Sequence, residues 1–321
     1  MAAVIEVDRL TRKFGEVTAL GGISFAIEAG ALFGVVGPDG AGKTTLLRIL
    51  SGVLRSSAGD ARLFGQSIAT HAEDVRPRLA YMPQRFGLYG DLTVQENIDF
   101  YADLYGVSAE EKSRRLDRLY AFSRLGPFRG RLAGQLSGGM KQKLGLCCAL
   151  IHQPELLLLD EPTFGVDPLS RRDLWLILHE MVAEGVTALV STSYLDEAER
   201  CDRVAMLDTG RLVALDDPAA LQAAYPGTVV IIRASDPRRA SDLLVEVPIA
   251  RRPTLFGETV HVTLANAERD WPTIASALVS GGVSVLSHEA APASLEDVFL
   301  EMAEGQTLRG SLRSGAEGQH E

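Results

Sequence analysis

The sequence predicts an α/β fold, a mixed sheet with an inserted helical subdomain, followed by a small α+β domain. Over about the first 215 residues, short apolar runs that end in Gly, Asp or Ser alternate with longer segments of helical periodicity. Between about residues 87 and 153 the strand pattern stops and the periodicity becomes helical. After about Gly227 short strand-like runs return, separated by two helical segments.

The elements of the first region follow from these runs. The predicted strands are Val4–Val7, Ser24–Ile27, Leu32–Val36, Leu156–Asp160, Thr187–Ser191 and Val204–Leu207. A helix over Leu169–Glu184 is expected because Pro168 favours a helix start and Gly185 a helix end. Within the insertion, Val94–Tyr105 and Glu110–Phe122 have helical periodicity.

The second region fits a small βαββαβ sheet. Its predicted strands are Thr228–Ile232, a weak one near Ile249–Leu255, Val260–Leu264 and Val283–Ser287, with helices over Ala240–Val245 and Trp271–Ser280. A further helix over Ser294–Leu300 has Ser294 as its N-cap and acids in its first turn. We therefore predict domains at 1–220 (helical subdomain about 87–153) and 227–303, and a disordered tail at 304–321.

Composition narrows the class of protein. Residues 1–8 lack the basic region and apolar core of a signal peptide, and no apolar run approaches the roughly 18 residues of a membrane span. The three cysteines do not form a disulfide framework, which favours a reducing compartment. A formal net charge of −10 argues against nucleic acid as a partner. We expect a cytoplasmic protein.

Residues Gly37–Thr44 match the phosphate-binding loop pattern G-x-x-x-x-G-K-[ST]. The apolar run Leu32–Val36 precedes the motif and an amphipathic stretch follows it, which is the strand–loop–helix context that the motif needs. Glycines let successive N–H groups point at one phosphate chain, and the helix N-terminus adds partial positive charge. Lys43 is expected to reach the β- and γ-phosphates and Thr44 to bind Mg²⁺. A glycine-rich turn that fits by chance is the alternative.

Two acids follow the apolar strand Leu156–Leu159. Asp160 and Glu161 are predicted at the carboxyl edge of a parallel sheet, where such folds bind ligands. Asp160 can hold the Mg²⁺ shell through water, and Glu161 can polarise the attacking water. The alternative is a polar start to a loop.

A Ser-Gly-Gly turn, Ser137–Gly139, opens a helical run to His152. Ser137 alone could be a simple N-cap. Its position shortly before the Asp160–Glu161 pair favours a functional role.

Along the chain, the phosphate loop is followed by the Ser-Gly-Gly turn and then by the acid pair. This arrangement resembles the ATP-binding cassette (ABC) ATPases over about residues 4–217. Phe14 falls at the adenine-stacking position, Gln84 at the glutamine that links the nucleotide site to the helical subdomain, and Asp167 in the loop that crosses the dimer interface. Residues 137–140 match the signature sequence, with Met140 in place of the commoner Gln. The resemblance implies a P-loop NTPase of ABC type.

The motif and the resemblance together give the expected site. The expected ATP-binding residues are Phe14, Gly37, Pro38, Asp39, Gly40, Ala41, Gly42, Lys43, Thr44, Thr45, Ser137, Gly138, Gly139 and Asp167. The expected catalytic residues are Glu161, Lys43, Gln84 and Ser193, and the expected Mg²⁺ ligands are Thr44, Gln84 and Asp160. The resemblance implies that two cassettes close head-to-tail over two ATP molecules, so that Ser137 and Gly139 touch ATP bound to the partner.

One position departs from the family pattern. Ser193 stands where the family has a switch histidine. A hydroxyl can bond a γ-phosphate oxygen but cannot supply an imidazole that bridges phosphate, water and Glu161. We expect this chain's own site to bind ATP and to hydrolyse it slowly, unless Ser193 with a bound water suffices.

The segments 81–89, 136–143 and 191–199 look most like the first cassette of tandem multidrug-efflux ATP-binding subunits of ABC-2 exporters. This resemblance implies an ATPase subunit that works with a membrane permease at the cytoplasmic face of the membrane. A hetero-pair with a second, His-bearing cassette is favoured over a homodimer. The alternatives are a soluble ribosome-associated or regulatory ABC ATPase, and a DNA-repair or chromosome ATPase. The latter requires a coiled-coil insertion that this sequence lacks.

Overall fold

A computed structural model describes residues 3–85 and 87–303. The chain divides into two compact units, with the boundary between Asp217 and Pro218. The proposed tail, 304–321, lies outside the described residues. Within them, no helix combines the length and the apolar character that crossing a membrane requires.

The first unit contains ten strands and seven α-helices among its described residues. The strands are β1 (Ala3–Phe14), β2 (Val17–Glu28), β3 (Leu32–Val36), β4 (Ala58–Leu63), β5 (Gln66–Ser67), β6 (Leu79–Met82), β7 (Leu156–Asp160), β8 (Thr187–Thr192), β9 (Arg203–Asp208) and β10 (Arg211–Asp216). The helices are α1 (Lys43–Leu50), α2 (Ile68–Val75), α3 (Val94–Leu104), α4 (Ala109–Ser123), α5 (Gly138–Leu150), α6 (Pro168–Ala183) and α7 (Leu195–Ala198).

The central sheet has six strands in the order β10-β9-β3-β8-β7-β6. All neighbouring pairs are parallel except β9 and β10, which form an antiparallel edge. Every residue of β3, β7 and β8 is buried, as expected for parallel strands covered on both faces. The register pairs Val36 with Thr192 and Asp160 with Ser191. The segments that follow β3, β7 and β8 therefore leave the sheet next to one another, at its carboxyl edge.

A second sheet, in the order β2-β1-β4-β5, is antiparallel. One hydrophobic core joins the two sheets and α1, with Ile5, Leu20, Leu46 and Leu158 each fully buried. This core fixes α1, and with it the loop that precedes α1, against the carboxyl edge of the central sheet.

The predicted helical insertion is confirmed. Between β6 and β7 the described residues form α3, α4 and α5, with a single isolated bridge between Thr93 and Leu132. Capping boxes start α3 at Thr93 and α4 at Ser108, where each hydroxyl accepts from the backbone of a glutamate three residues later.

The second unit begins with α8 (Pro218–Ala223) and then follows the predicted βαββαβ order. Its elements are β11 (Thr228–Ala234), α9 (Pro237–Val245), β12 (Arg251–Phe256), β13 (Thr259–Leu264), α10 (Ala267–Ser280) and β14 (Val285–Ala291). The sheet is antiparallel in the order β12-β13-β11-β14, and both helices pack on one face over a core that includes Ile232, Val262 and Ile274. Residues 295–303 are helical, and Ser294 and Asp297 form the capping bonds that begin this segment.

Candidate nucleotide-binding site

The phosphate loop joins β3 to α1. Gly42, just before α1, has φ of 105°, and a Cβ there would lie 2.4 Å from the carbonyl oxygen of Ala19. Gly37 is equally enclosed, since a Cβ would lie 2.1 Å from the carbonyl oxygen of Leu207. Only glycine fits these two positions, so the loop can turn tightly with its amides directed inward.

Lys43 is the buried cation of this loop, with its side chain 4% exposed. Its Nζ donates to the carbonyl oxygens of Gly37 (2.7 Å) and Pro38 (3.1 Å) and to Ser193 Oγ (2.9 Å). It also lies 3.2 Å from Glu161 Oε1. The ammonium group is therefore held over the loop by partners from three separate segments.

Asp160, at the end of β7, is 1% exposed. Its Oδ1 accepts hydrogen bonds from Thr44 Oγ1 (3.1 Å) and Ser191 Oγ (2.8 Å), and its Oδ2 accepts one from the Tyr81 hydroxyl (3.4 Å). Burial, followed by the charge of Asp160, raises the pKa of Tyr81 to about 12, so Tyr81 remains a neutral donor. Three hydroxyls thus donate hydrogen bonds to the Asp160 carboxylate.

Glu161 has a left-handed backbone, with φ of 48°. Its N–H donates to the carbonyl oxygen (3.1 Å) and to the hydroxyl (3.0 Å) of Ser191. Its Oε1 lies 2.9 Å from Ser193 Oγ, and its Oε2 accepts from Gln84 Nε2 at 3.0 Å. These contacts aim the carboxylate into the mouth of the phosphate loop.

Most residues of the predicted phosphate loop, together with Gln84 and Glu161, line one cleft of about 340 Å³, whereas Gly37, Pro38 and Asp160 lie outside its lining. Its lining comprises Ala19, Asp39, Gly40, Ala41, Gly42, Lys43, Thr44, Thr45, Gln84, Glu161 and Phe164. Ser193 does not line the cleft itself, but its hydroxyl contacts three residues that do: Lys43, Glu161 and Asp39, whose Oδ1 lies 3.3 Å from Ser193 Oγ. The structure thus brings together Lys43, Thr44, Gln84, Glu161 and Ser193.

The donor set suits Mg²⁺ held partly by phosphate. Thr44 Oγ1 and Asp160 Oδ1 are in contact, whereas the amide of Gln84 is bonded to Glu161. In the described ranges, no group of three or more His, Cys, Asp or Glu residues could hold a metal by itself. Magnesium typically binds through one or two protein oxygens, with substrate phosphates and water completing its shell. Thr44 and Asp160 fit that pattern.

Other predicted site residues do not line this cleft. Phe14 is 47% exposed, with the Arg12 guanidinium carbon 4.4 Å from its ring centroid. Ser137 is exposed and caps α5 through Met140 N, and Asp167 is exposed and caps α6 through Ser170 N. Both groups are presented at helix starts, available to a second molecule.

Several polar groups around the site were not predicted from the sequence. Tyr81 and Ser191 hold Asp160, while Thr163 and Thr192 share the carboxylate of Glu197. Ser191 and Thr192 had one available signal: they are polar residues that end an otherwise apolar strand.

Comparison with known proteins decides the family. The sequence model of the ABC transporter family matches residues 20–164 of this chain. The Nod factor export ATP-binding protein I of Paraburkholderia xenovorans (strain LB400) is 38% identical over 302 residues, which cover 94% of this chain and 97% of that protein. This chain is an ABC transporter ATP-binding protein.

Further relatives and structures agree with this ABC assignment. The probable multidrug ABC transporter ATP-binding protein YbhF of Escherichia coli (strain K12) is 49% identical over 227 residues, which are 70% of this chain but 39% of that protein. A solved ATP-binding subunit of an ABC transporter is 32% identical, with a TM-score of 0.63 over 68% of this chain and 92% of that one. A dimeric cassette solved with ADP and Pi, 24% identical with a TM-score of 0.61, shares the fold. The predicted family and fold class are confirmed.

Proposed function

We propose that this chain is the ATP-binding and hydrolysing subunit of an ABC-2 type exporter, and that it couples closure of two cassettes to a separate membrane permease. The observation that carries the proposal is the convergence of Lys43, Glu161 and Ser193 within 3.2 Å of one another at the mouth of the phosphate loop. The export names of the relatives support a transport role. They give no support to a ribosome-associated or regulatory ATPase.

The triphosphate of ATP would lie over the loop. Backbone N–H groups of residues 39–45 and the ammonium of Lys43 would supply positive charge to the β- and γ-phosphates, at the N-terminus of α1. Thr44 and Asp160 would hold Mg²⁺, which neutralises phosphate charge when bound. Phe14, already half exposed, is free to stack on adenine.

Hydrolysis needs an oriented water molecule. Glu161 Oε1 and Oε2 would accept its hydrogen bonds, and Gln84, bonded to Glu161, keeps that carboxylate in place. Attack on the γ-phosphorus forms the new P–O bond, and the bond to the β–γ bridging oxygen breaks. The products are ADP and phosphate, and the proton of the water is released. Ser193 Oγ would bond a γ-phosphate oxygen.

Assembly completes the site. Ser137, Gly138, Gly139 and Asp167 of this chain would contact ATP held by a second cassette. Ser137, Gly138 and Asp167 are exposed, whereas Gly139 is buried close to Ser170 of α6. We favour a His-bearing partner over a second copy, because a homodimer would have Ser193 in both sites. The cassette proposed at 1–220 carries all of these residues, and the domain proposed at 227–303 carries none of them.

A permease contact is proposed beside Gln84. Tyr89 and Phe100 are 47% and 38% exposed, and their ring centroids are 4.7 Å apart. Phe86, which we also assign to this proposed contact, lies outside the described residues. Through this contact the chain would sit at the cytoplasmic face of a membrane.

The test is Mg-ATP hydrolysis by the purified chain, alone and with its membrane and cassette partners in lipid. Glu161→Gln should lower kcat by about 100-fold or more and leave ATP binding intact, since it removes only the group that polarises water. Glu155→Gln is the matched control: Glu155 precedes β7, is exposed and pairs with Arg78. Equal turnover in Glu161→Gln and wild type would overturn the proposed mechanism.

A further inference from the structure

One buried carboxylate has no role in the chemistry above. Glu197, in the short helix α7, is 1% exposed. Its Oε2 accepts hydrogen bonds from Thr163 Oγ1 (2.7 Å) and Thr192 Oγ1 (2.9 Å). A buried carboxylate is strongly unfavourable without partners. These two hydroxyls, together with the nearby guanidinium of Arg171, therefore stabilise Glu197 in the interior.

The two threonines flank the groups that act on ATP. Thr163 follows Glu161 by two residues, and Thr192 immediately precedes Ser193. Thr192 Oγ1 also accepts from the backbone N–H of Tyr194 at 3.0 Å, so its hydroxyl fixes the backbone on the far side of Ser193 as well. A single oxygen of Glu197 therefore ties the segment carrying Glu161 to the segment carrying Ser193.

The second oxygen of this carboxylate faces α6. Arg171 Nε lies 3.3 Å from Glu197 Oε1, and the Arg171 guanidinium carbon lies 4.3 Å from the ring centroid of Tyr194. The Arg171–Glu197 contact is electrostatic, because its geometry does not form an aligned hydrogen bond. Arg171 stands four residues after Asp167, which caps α6. The carboxylate thus also contacts the helix that presents Asp167.

The backbone of Glu161 makes such restraint necessary. A residue other than glycine in the left-handed region is strained and persists only where its surroundings fix it. The bonds from Glu161 N to Ser191 restrain it on one side, and Thr163 restrains the chain on the other.

We propose that Glu197 is a positioning residue for ATP hydrolysis, which sets the distance between the Glu161 carboxylate and Ser193 through Thr163 and Thr192. The inference rests on the proposed hydrolytic function. Glu197 does not touch nucleotide; it determines where two groups that do so are held. Removing the link should lower kcat and leave ATP affinity unchanged, because the carbonyl oxygens of Gly37 and Pro38 still hold Lys43 and the loop amides lie outside both segments.

Thr163→Val is the deciding variant. It keeps the shape of the side chain and removes one hydrogen bond to Glu197. We expect kcat in the assembled complex to fall roughly 10-fold or more, because displacements of about 1 Å at a reacting centre have effects of up to about 100-fold. The Kd for ATP should stay within about twofold. Thr192→Val should behave in the same way, and Thr192→Ser should restore most of the kcat because it returns the hydroxyl.

Thr187→Val is the matched control. Thr187 is 1% exposed and lies in β8, at the opposite end of that strand from Thr192. Its hydroxyl accepts a hydrogen bond from Gly30 N at 3.0 Å. It should lower the melting temperature about as much as Thr163→Val and leave kcat unchanged. Glu197→Ala extends the series if it folds.

The outcomes separate the two proposals. If wild type hydrolyses ATP and Glu161→Gln does not, the proposed function stands. A Thr163→Val variant with wild-type kcat would then overturn this inference alone. Parallel losses of kcat in Thr163→Val and Thr187→Val would also overturn it, because they would indicate general destabilisation. A wild-type complex without turnover would overturn both proposals.

Discussion

At the scale of single residues, the hydroxyl of Ser193 joins the lysine of the phosphate loop to the acid that follows β7. Ser193 Oγ accepts from Lys43 Nζ at 2.9 Å and can donate its single proton to Glu161 Oε1 at 2.9 Å or to Asp39 Oδ1 at 3.3 Å. One proton and two lone pairs cannot bond phosphate, water and Glu161 all at once as firmly as an imidazole with two separated nitrogens.

Ser193→His should therefore raise the turnover of this site roughly 10-fold or more, since a positioned imidazole restores the missing bridge. The measurement is single-turnover ATP hydrolysis in the assembled complex, with Ser193→Ala as the comparison that removes the hydroxyl. Turnover equal to wild type in Ser193→His would mean that serine with a bound water is sufficient.

The placement of the proposed site residues was predictable where it depends on adjacent positions in sequence. Lys43, Thr44, Asp160 and Glu161 follow from short motifs on recognisable strands and helices. Glu197 did not, because its importance arises from its contacts with Thr163 and Thr192. Those contacts depend on the pairing of β7 with β8, which no local pattern encodes.

At the scale of elements, α5 and α6 are joined closely. A Cβ on Gly139 would lie 2.3 Å from Ser170 Oγ, so only glycine allows this approach. Four residues later along α5, Lys143 Nζ lies 2.5 Å from Asp173 Oδ2, with side chains 10% and 18% exposed. The helix that begins at Ser137 and the helix capped by Asp167 should therefore move together.

Lys143→Met should lower the free energy of unfolding by about 2 kcal/mol, somewhat below the range of about 3–5 for a fully buried pair, because Asp173 keeps some contact with water. Asp173→Leu added to Lys143→Met should recover most of the loss. Urea denaturation followed by the fluorescence of Trp175, in a Trp271→Phe background, measures both variants.

The exposed pair Arg78–Glu155 provides the control for this experiment. Its side chains are 41% and 58% exposed, so Arg78→Met should change stability by less than about 1 kcal/mol. Equal effects of Lys143→Met and Arg78→Met would show that α5 and α6 are not joined by this ion pair.

Strands were predictable in proportion to their burial. β3, β7 and β8 are buried throughout, each has at least three consecutive apolar or glycine residues, and all three were located nearly to the residue. β4, with the sequence Ala-Gly-Asp-Ala-Arg-Leu, and β10, which has no fully buried residue, carry little signal of their own. They pair because β1 and β9 offer them backbone partners, which is a tertiary effect.

At the scale of the whole molecule, the proposed function requires a second cassette. If the partner is a different, His-bearing protein, the Glu161→Gln chain alone should remain monomeric in size-exclusion chromatography with Mg-ATP. Adding the partner cassette should give a heterodimer. A homodimer of Glu161→Gln that Ser137→Arg abolishes would contradict the hetero-pair, because Ser137 opens the helix expected to meet the partner's ATP.

The backbone of Glu161 has a consequence for protein engineering. Its φ of 48° is unfavourable for glutamate by about 1 kcal/mol, whereas glycine adopts it without strain. Glu161→Gly should melt about 2–4 °C above Glu161→Ala, since both lack the carboxylate and only one relieves the backbone. A screen for heat resistance among variants that lack this carboxylate would therefore select glycine over alanine, whereas glutamate itself keeps the buried Lys43 ion pair that both variants lose.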